Sequence, residues 1–161
     1  LTADNDHGSG LNARVSWTAG YTGYHYVVAD GHRASTGSYR VAASTASDDH
    51  GESTGTATSL TVGNSRTGNI ETVGDEDWFR VFLSAGQTYT FGLEGTATGR
   101  GSLADPFLRL RNSSGTQVGF NDDGGAGLNS LLNYTATSTG NHYLVADAYG
   151  TGTGTYTLFT A

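Results

Sequence analysis

From residue 77 onward, apolar and polar side chains alternate in short runs. Phe79, Val81 and Leu83 share one face of DWFRVFL, and Tyr89, Phe91 and Leu93 share one face of TYTFGLE. In PFLRLR, Leu108 and Leu110 oppose Arg109 and Arg111, and TQVGF is placed to pair back across the Ser-Gly turn that follows. Leu132, Tyr134 and Ala136 then fall together, as do Tyr143 with Val145 and Tyr156 with Leu158. A period of two in short runs bounded by Gly, Asn and Ser predicts strands and turns. Pro106, the single proline, is predicted to open a strand, where its missing N–H is tolerated. The expected fold class is all-β, an antiparallel β-sandwich that is jelly-roll-like.

The pattern also repeats. NDHGSGLNARVSWTAGYTGYHYVVADG, from Asn5, aligns with NDDGGAGLNSLLNYTATSTGNHYLVADA, from Asn121, and TGSYRV aligns with TGTYTL. Asn12 and Asn129, His25 and His142, and Tyr39 and Tyr156 all stand 117 positions apart; one residue is missing from the earlier copy just before Leu11. A period of that length is a whole domain, not a solenoid unit. The expected organisation is therefore the C-terminal half of a preceding module at 1–43, a polar linker at 44–59 and a complete module at 60–161. In the partial copy, Val15 with Trp17, Tyr26 with Val28 and Tyr39 with Val41 are expected on the apolar faces of three strands. Such strands lack an opposing sheet, so the partial copy is expected either to pack on the complete module or to be completed intermolecularly, by a neighbouring copy, a domain swap or a separate fragment.

Composition narrows the class. The chain has 161 residues, no Cys, and a formal net charge of −7, with every basic residue an Arg. The absence of Cys removes disulfides, thiol catalysis and Cys-zinc sites. The acidic balance argues against a nucleic-acid partner, which would need a basic stripe. No apolar run approaches the ~18 residues of a membrane span. The sequence opens at Leu1, with no cationic stretch followed by an apolar run, and is expected to be a processed or excised piece.

Five motifs, in order, carry a resemblance: GDEDWFRVFLSAGQTYTFGLEG, LADPFLRLRNSSG, NDDGGAGLNSLLNYTA, GNHYLVADAYG and GTYTLFTA. Together they resemble the bacterial pre-peptidase C-terminal domain over about residues 66–161, and again over 3–43 for its C-terminal half. The resemblance implies a non-catalytic jelly-roll-like sandwich attached to secreted peptidases and other hydrolases, or arrayed within large surface proteins. It also implies that some members bind calcium and that some collagen-directed relatives bind their substrate.

The acidic residues are mostly Asp, set beside Gly and Asn. Asp75, Glu76 and Asp77 precede Trp78, Asp105 precedes Pro106, and Asn121, Asp122 and Asp123 open a Gly-rich loop that ends at Asn129. Strand ends gather at the poles of a sandwich, so Asp75, Asp77, Asp105, Asp122 and Asp123 are the expected ligands of a calcium ion, which takes roughly six to eight oxygens. The competing reading is that Asp and Asn cap turns through their own backbone. The partial copy has His7 where Asp123 stands and lacks counterparts of Asp75 and Asp105, so no intact site is expected there without another chain.

No catalytic constellation emerges. His25 and His142 stand mid-strand with no second His at ligand spacing, and His32 and His50 are expected to face solvent. No nucleophile elbow occurs, nothing in the spacing pairs Glu94 with a second acid, and GGAG is followed by neither helix nor Lys. Tyr21, Tyr24 and Tyr149 are expected as scattered surface aromatics, with glycan or protein binding as the alternative. The expected function is a non-catalytic, calcium-binding accessory module of a secreted bacterial hydrolase of peptidase type, aiding stability, secretion or attachment to an extracellular protein or polysaccharide. Its partners would be the parent catalytic domain or further repeats. The alternatives are a repeat unit of a cell-surface adhesin or matrix protein, and a glycan-binding module.

Overall fold

A computed structural model describes residues 12, 13, 15, 17, 19, 21–43 and 47–161. The chain divides into two compact units, Leu1–Thr45 and Ala46–Ala161.

The second unit carries nine strands: β1 (Thr58–Ser59), β2 (Ser65–Ile70), β3 (Asp77–Leu83), β4 (Thr88–Glu94), β5 (Pro106–Arg111), β6 (Gln117–Asn121), β7 (Ser130–Thr135), β8 (Gly140–Ala148) and β9 (Gly154–Thr160). They form two sheets, ordered β1-β3-β8-β5-β6 and β2-β9-β4-β7. All pairings are antiparallel except the short β1–β3 ladder. The expected β-sandwich is thus observed, and β5 opens at Pro106 as expected. The sheets interleave the chain: β8 lies between β3 and β5, and β9 lies between β2 and β4. No ladder joins β7, β8 and β9 to one another.

The alternation explains the core. Phe79, Val81, Leu83, Leu108, Leu110, Leu144 and Ala146 point inward from the five-stranded sheet and meet Ile70, Phe91, Leu93, Tyr156 and Leu158 from the other. Full burial of each large side chain stabilises the fold by roughly 1.5–3 kcal/mol. Tyr143 and Val145, expected on the core face of their strand, lie instead on the outer face of the five-stranded sheet. There they form a second cluster with Trp78, against which Ala57 packs. A strand buried on both faces reads as a continuous apolar run, which hides which parity faces the core.

The segment expected as a linker, 44–59, is structured where it is described. His50 has its ring centroid 4.5 Å from that of Phe79. Its Nε2 is 3.1 Å from the Thr67 carbonyl oxygen and its Nδ1 is 2.9 Å from the Thr58 hydroxyl. The Trp78 N–H donates to the Gly51 carbonyl, 3.3 Å away. His50 is therefore not the solvent-facing residue expected.

In the first unit, the described residues form no strand, in contrast to the three expected there. Val15, Trp17, Tyr26, Val28, Tyr39 and Val41 are all exposed, Tyr26 and Val28 by 89% and 86%. A turn occupies 32–34, and Arg33 takes a φ of 58° at its centre. The rings of Trp17 and His25 meet edge to face with centroids 4.5 Å apart. Asn5, Asp6 and His7 lie outside the described residues.

Candidate metal centre

Asp77 is the first residue of β3 and shares the inward parity of Phe79 and Val81. Strand register therefore carries a carboxylate into the sandwich, where it is fully buried. Its Oδ2 accepts a 2.5 Å hydrogen bond from the Tyr156 hydroxyl, and its Oδ1 has no hydrogen-bond partner. Burial pushes the Asp77 carboxyl from the ordinary 3.8 up to about 8; the Tyr156 bond pulls the other way, and the charges of Asp49, Asp75 and Glu71 add to the rise. Burial and the neighbouring carboxylate likewise hold the Tyr156 phenol protonated far beyond its usual range.

Further carboxylates converge on this point from three segments. Asp75, on the turn before β3, accepts the Glu71 N–H at 2.8 Å through Oδ2. Asp48, Glu71 and Asp75 bring ligand oxygens within 4.8 Å of one another, and Asp48, Asp49 and Asp77 do the same. Asp48 belongs to both groups, so the five acids form one bipartite cluster. Glu71 Oε2 is a second buried oxygen without a partner, and burial, followed by its contact with Asp75, raises the Glu71 pKa. Among the described residues, no ion pair reaches any of these five carboxylates. Glu76, between Asp75 and Asp77, faces the other way: it accepts from the Trp78 indole N–H at 3.1 Å and pairs with Arg109 at 3.3 Å.

Asp105, Asp122 and Asp123 form a separate cluster, again with ligand oxygens within 4.8 Å. Asp105 Oδ1 and Asp122 Oδ1 are buried without partners. Burial raises both pKa values; the charges of Asp122 and Asp123 add at Asp105, and that of Asp123 adds at Asp122. Backbone oxygens crowd the same place. The buried Ser130 hydroxyl lies 2.7 Å from the Pro106 carbonyl and 2.9 Å from each of the Asn121 and Asp122 carbonyls, although it has one proton to give. Asn129 is structural: its Oδ1 accepts the Gly95 N–H at 2.9 Å.

The two clusters sit at one pole. Asp77 pairs with Ala146, Ala146 with Leu108, and Leu108 with Asn121, so one row crosses β3, β8, β5 and β6. Three strand spacings of about 4.8 Å separate the ends of that row by roughly 14 Å. One calcium ion, with oxygens at about 2.3–2.6 Å, cannot collect Asp77 and Asp122 together. The five residues expected to share an ion thus fall in two separate carboxylate clusters, Asp75 and Asp77 in one, Asp105, Asp122 and Asp123 in the other. Asp48, Asp49 and Glu71 were missed. The first two lie in the polar stretch read as linker. The signal that could have found Asp48 and Asp49 is the SDDH tetrad, with its paired acids beside a ring able to anchor them.

His142 is buried mid-strand with its Nδ1 3.1 Å from the Gly140 carbonyl, and among the described residues no histidine belongs to either acidic cluster.

Residues 46–161 thus form a cysteine-free β-sandwich module with acidic side chains, two of them the buried Asp75 and Asp77, gathered at one pole. Residues 75–148, from the pole at Asp75 to the end of β8, match the profile of the bacterial pre-peptidase C-terminal domain, a family of non-catalytic modules. The pre-peptidase C-terminal domain of a collagenase from Bacillus anthracis superposes with a TM-score of 0.50 at 18% identity, covering 65% of this chain and 94% of that domain. PliG of Aeromonas hydrophila, a periplasmic inhibitor of g-type lysozyme, gives a TM-score of 0.44 at 14% identity, covering 65% of this chain and 97% of its own. No curated protein matches the chain.

Proposed function

We propose that residues 46–161 are a calcium-stapled, non-catalytic accessory module of a secreted bacterial hydrolase of peptidase type, serving stability, secretion or attachment to substrate. The observation that carries the calcium reading is the fully buried Asp77, whose Oδ1 has no partner while Asp48, Asp49, Asp75 and Glu71 crowd around it. Turn capping does not explain such an oxygen, because capping supplies a donor. A hard divalent cation satisfies unpartnered oxygens and offsets the mutual repulsion of the carboxylates, and these donors are all oxygen. The module has no disulfide, and a sandwich of this size gains a staple from such an ion.

The test is calorimetric titration with calcium, joined to melting with and without chelator. Heat of binding, with a midpoint raised as calcium exceeds its dissociation constant, is the expected result; a hundredfold excess adds ~2.7 kcal/mol. No heat and no shift would sink the reading. The 117-residue repeat supports a second role, as a unit in the tandem array of a surface adhesin or matrix protein. There, calcium would stiffen successive modules.

A further inference from the structure

On the calcium reading proposed above, we infer that His50 is the positioning residue of the acidic pole: its ring, wedged between the edges of the two sheets, holds Asp48 and Asp49 against Asp77 before a cation arrives, so the centre is formed in advance and not assembled by the ion. β1 is one edge of the five-stranded sheet, and β2 is one edge of the four-stranded sheet. His50 reaches both. Its Nδ1 is 2.9 Å from the Thr58 hydroxyl of β1, and its Nε2 is 3.1 Å from the Thr67 carbonyl oxygen of β2. A carbonyl can only accept, so Nε2 carries a hydrogen; in the neutral ring Nδ1 then accepts from the Thr58 hydroxyl, and both nitrogens are used. The ring also meets that of Phe79 on β3, with centroids 4.5 Å apart. Thr58 pairs with Phe79 in the parallel ladder, and Phe79 follows Asp77 by two residues on the inward face of β3. The ring is therefore anchored on the face that carries the buried carboxylate.

The two acids come directly before this anchor. The His50 N–H donates to Asp48 Oδ1 at 2.9 Å, closing a short turn that fixes Asp48 relative to the ring. On the other side, the Gly51 carbonyl accepts from the Trp78 N–H at 3.3 Å, and the Ser53 carbonyl accepts from the N–H groups of Thr56 and Ala57 at 3.1 and 2.9 Å. A Cβ on Gly51 would lie 2.4 Å from Thr56 Oγ1, so this turn closes tightly enough to need glycine. Ala57 packs on Trp78, Tyr143 and Val145, and the Leu60 N–H donates to the Arg80 carbonyl at 2.9 Å.

Of these contacts, only the Asp48 turn uses a carboxylate. The others are made by neutral groups and need no ion. They hold two like charges beside Glu71, Asp75 and Asp77, and so offset the repulsion that would otherwise drive the segment away. An ion that meets this arrangement does not have to order the segment first, and its affinity is set by the anchor as well as by the ligands.

The experiment follows hydrogen exchange of the whole chain in chelator and in excess calcium, for the parent, His50→Ala and His50→Gln. Gln keeps an N–H donor for the Thr67 carbonyl. In the parent, residues 48–60 are expected to be protected in chelator to within about threefold of their protection in calcium. His50→Ala should lower protection of 48–60 in chelator by roughly tenfold or more while 141–148 stay protected. Its calcium affinity by calorimetry should fall roughly tenfold, the cost of ordering the segment at the moment of binding. His50→Gln should restore most of both. A parent whose residues 48–60 exchange freely in chelator and are protected only in calcium overturns the inference, because the ion would then be the anchor. So does a folded His50→Ala chain with unchanged protection of 48–60. Should His50→Ala not fold, Thr58→Val, which removes only the hydroxyl at Nδ1, decides by the same readout: lower protection of 48–60 in chelator supports the anchor, and unchanged protection overturns it. If the parent gives no heat with calcium, the cation reading falls by itself, and exchange in chelator still decides for or against His50.

Discussion

The Tyr156 hydroxyl donates a 2.5 Å hydrogen bond to Oδ2 of Asp77, and these two residues tie the last strand of the sandwich to the first strand of the acidic pole. The bond fixes one oxygen of the carboxylate and leaves the other buried without a partner. It also favours the charged form of Asp77, the form a cation needs. Tyr156→Phe keeps the ring that meets Phe79 edge to face but leaves a second buried oxygen unpartnered. The expected loss is about 1.5–3 kcal/mol of stability, as for other hydrogen bonds to charged groups, with weaker calcium binding. Urea denaturation and calorimetry measure the two effects. Unchanged calcium affinity would show that Asp77 is not a ligand.

The same bond depends on a glycine. Gly68 on β2 lies opposite Tyr156, and a Cβ there would overlap the Tyr156 phenol and approach Cδ2 of His50 at 3.0 Å. Gly68→Ala is therefore expected to push Tyr156 from Asp77 and to disturb the ring that holds Asp48 and Asp49 in place. Overpacking of this kind costs about 1–3 kcal/mol. Calcium affinity should fall along with it, whereas a distant core truncation such as Leu110→Ala should lower stability and leave affinity nearly unchanged.

The metal-free module should lose stability as pH rises. Asp77 titrates at about 8 in the fold against 3.8 ordinarily. Between these values the folded state holds a proton that the unfolded chain has released. Its contribution is complete below pH ~4 and is lost as pH climbs through ~8, with a slope of up to ~1.4 kcal/mol per unit. Glu71, Asp105 and Asp122 are shifted in the same direction. Calcium binds the deprotonated carboxylates, so its effect runs the opposite way and strengthens with pH. Melting in chelator from pH 5 to 8 should show a falling midpoint, and saturating calcium should flatten or reverse it. Parallel curves would contradict ligation by the buried acids.

Much of the sandwich was legible because alternation reports burial on one face. Leu108 with Leu110 against Arg109 with Arg111 gave the parity of β5, and the Ser-Gly turn gave its hairpin with β6. Alternation failed on β8, where Tyr143 and Val145 are buried as well as Leu144 and Ala146. It also missed β2, whose SRTGNI has one large apolar residue, Ile70. The acidic pole was legible as residue types but not as a partition. Sequence spacing does not reveal that β8 and β5 stand between Asp77 and Asn121. Nor does it reveal that His50 folds a polar stretch back against Phe79. The local pattern cannot show that β7, β8 and β9 avoid one another, which is a property of topology alone.

The division into two centres can be tested where substitution does least harm to the fold. Asp48 is exposed, yet it belongs to both carboxylate groups around Asp77. Asp48→Asn removes one charge from each group without opening a cavity, so in calcium-free buffer stability should hold or rise slightly as repulsion falls. Calcium affinity at that centre should drop at least tenfold, because one ligand is lost from both groups. Asp123→Asn, also at an exposed position, should weaken only the cluster with Asp105 and Asp122. If each centre takes an ion, calorimetry on the parent resolves two classes of site, Asp48→Asn loses one and Asp123→Asn the other, and the double variant loses both. With the centres roughly 14 Å apart across three strand spacings, the two effects should add within ~0.5 kcal/mol. A single class of site abolished equally by either substitution would mean that the two clusters act as one, and the register of β3, β8, β5 and β6 would have to differ from that seen here.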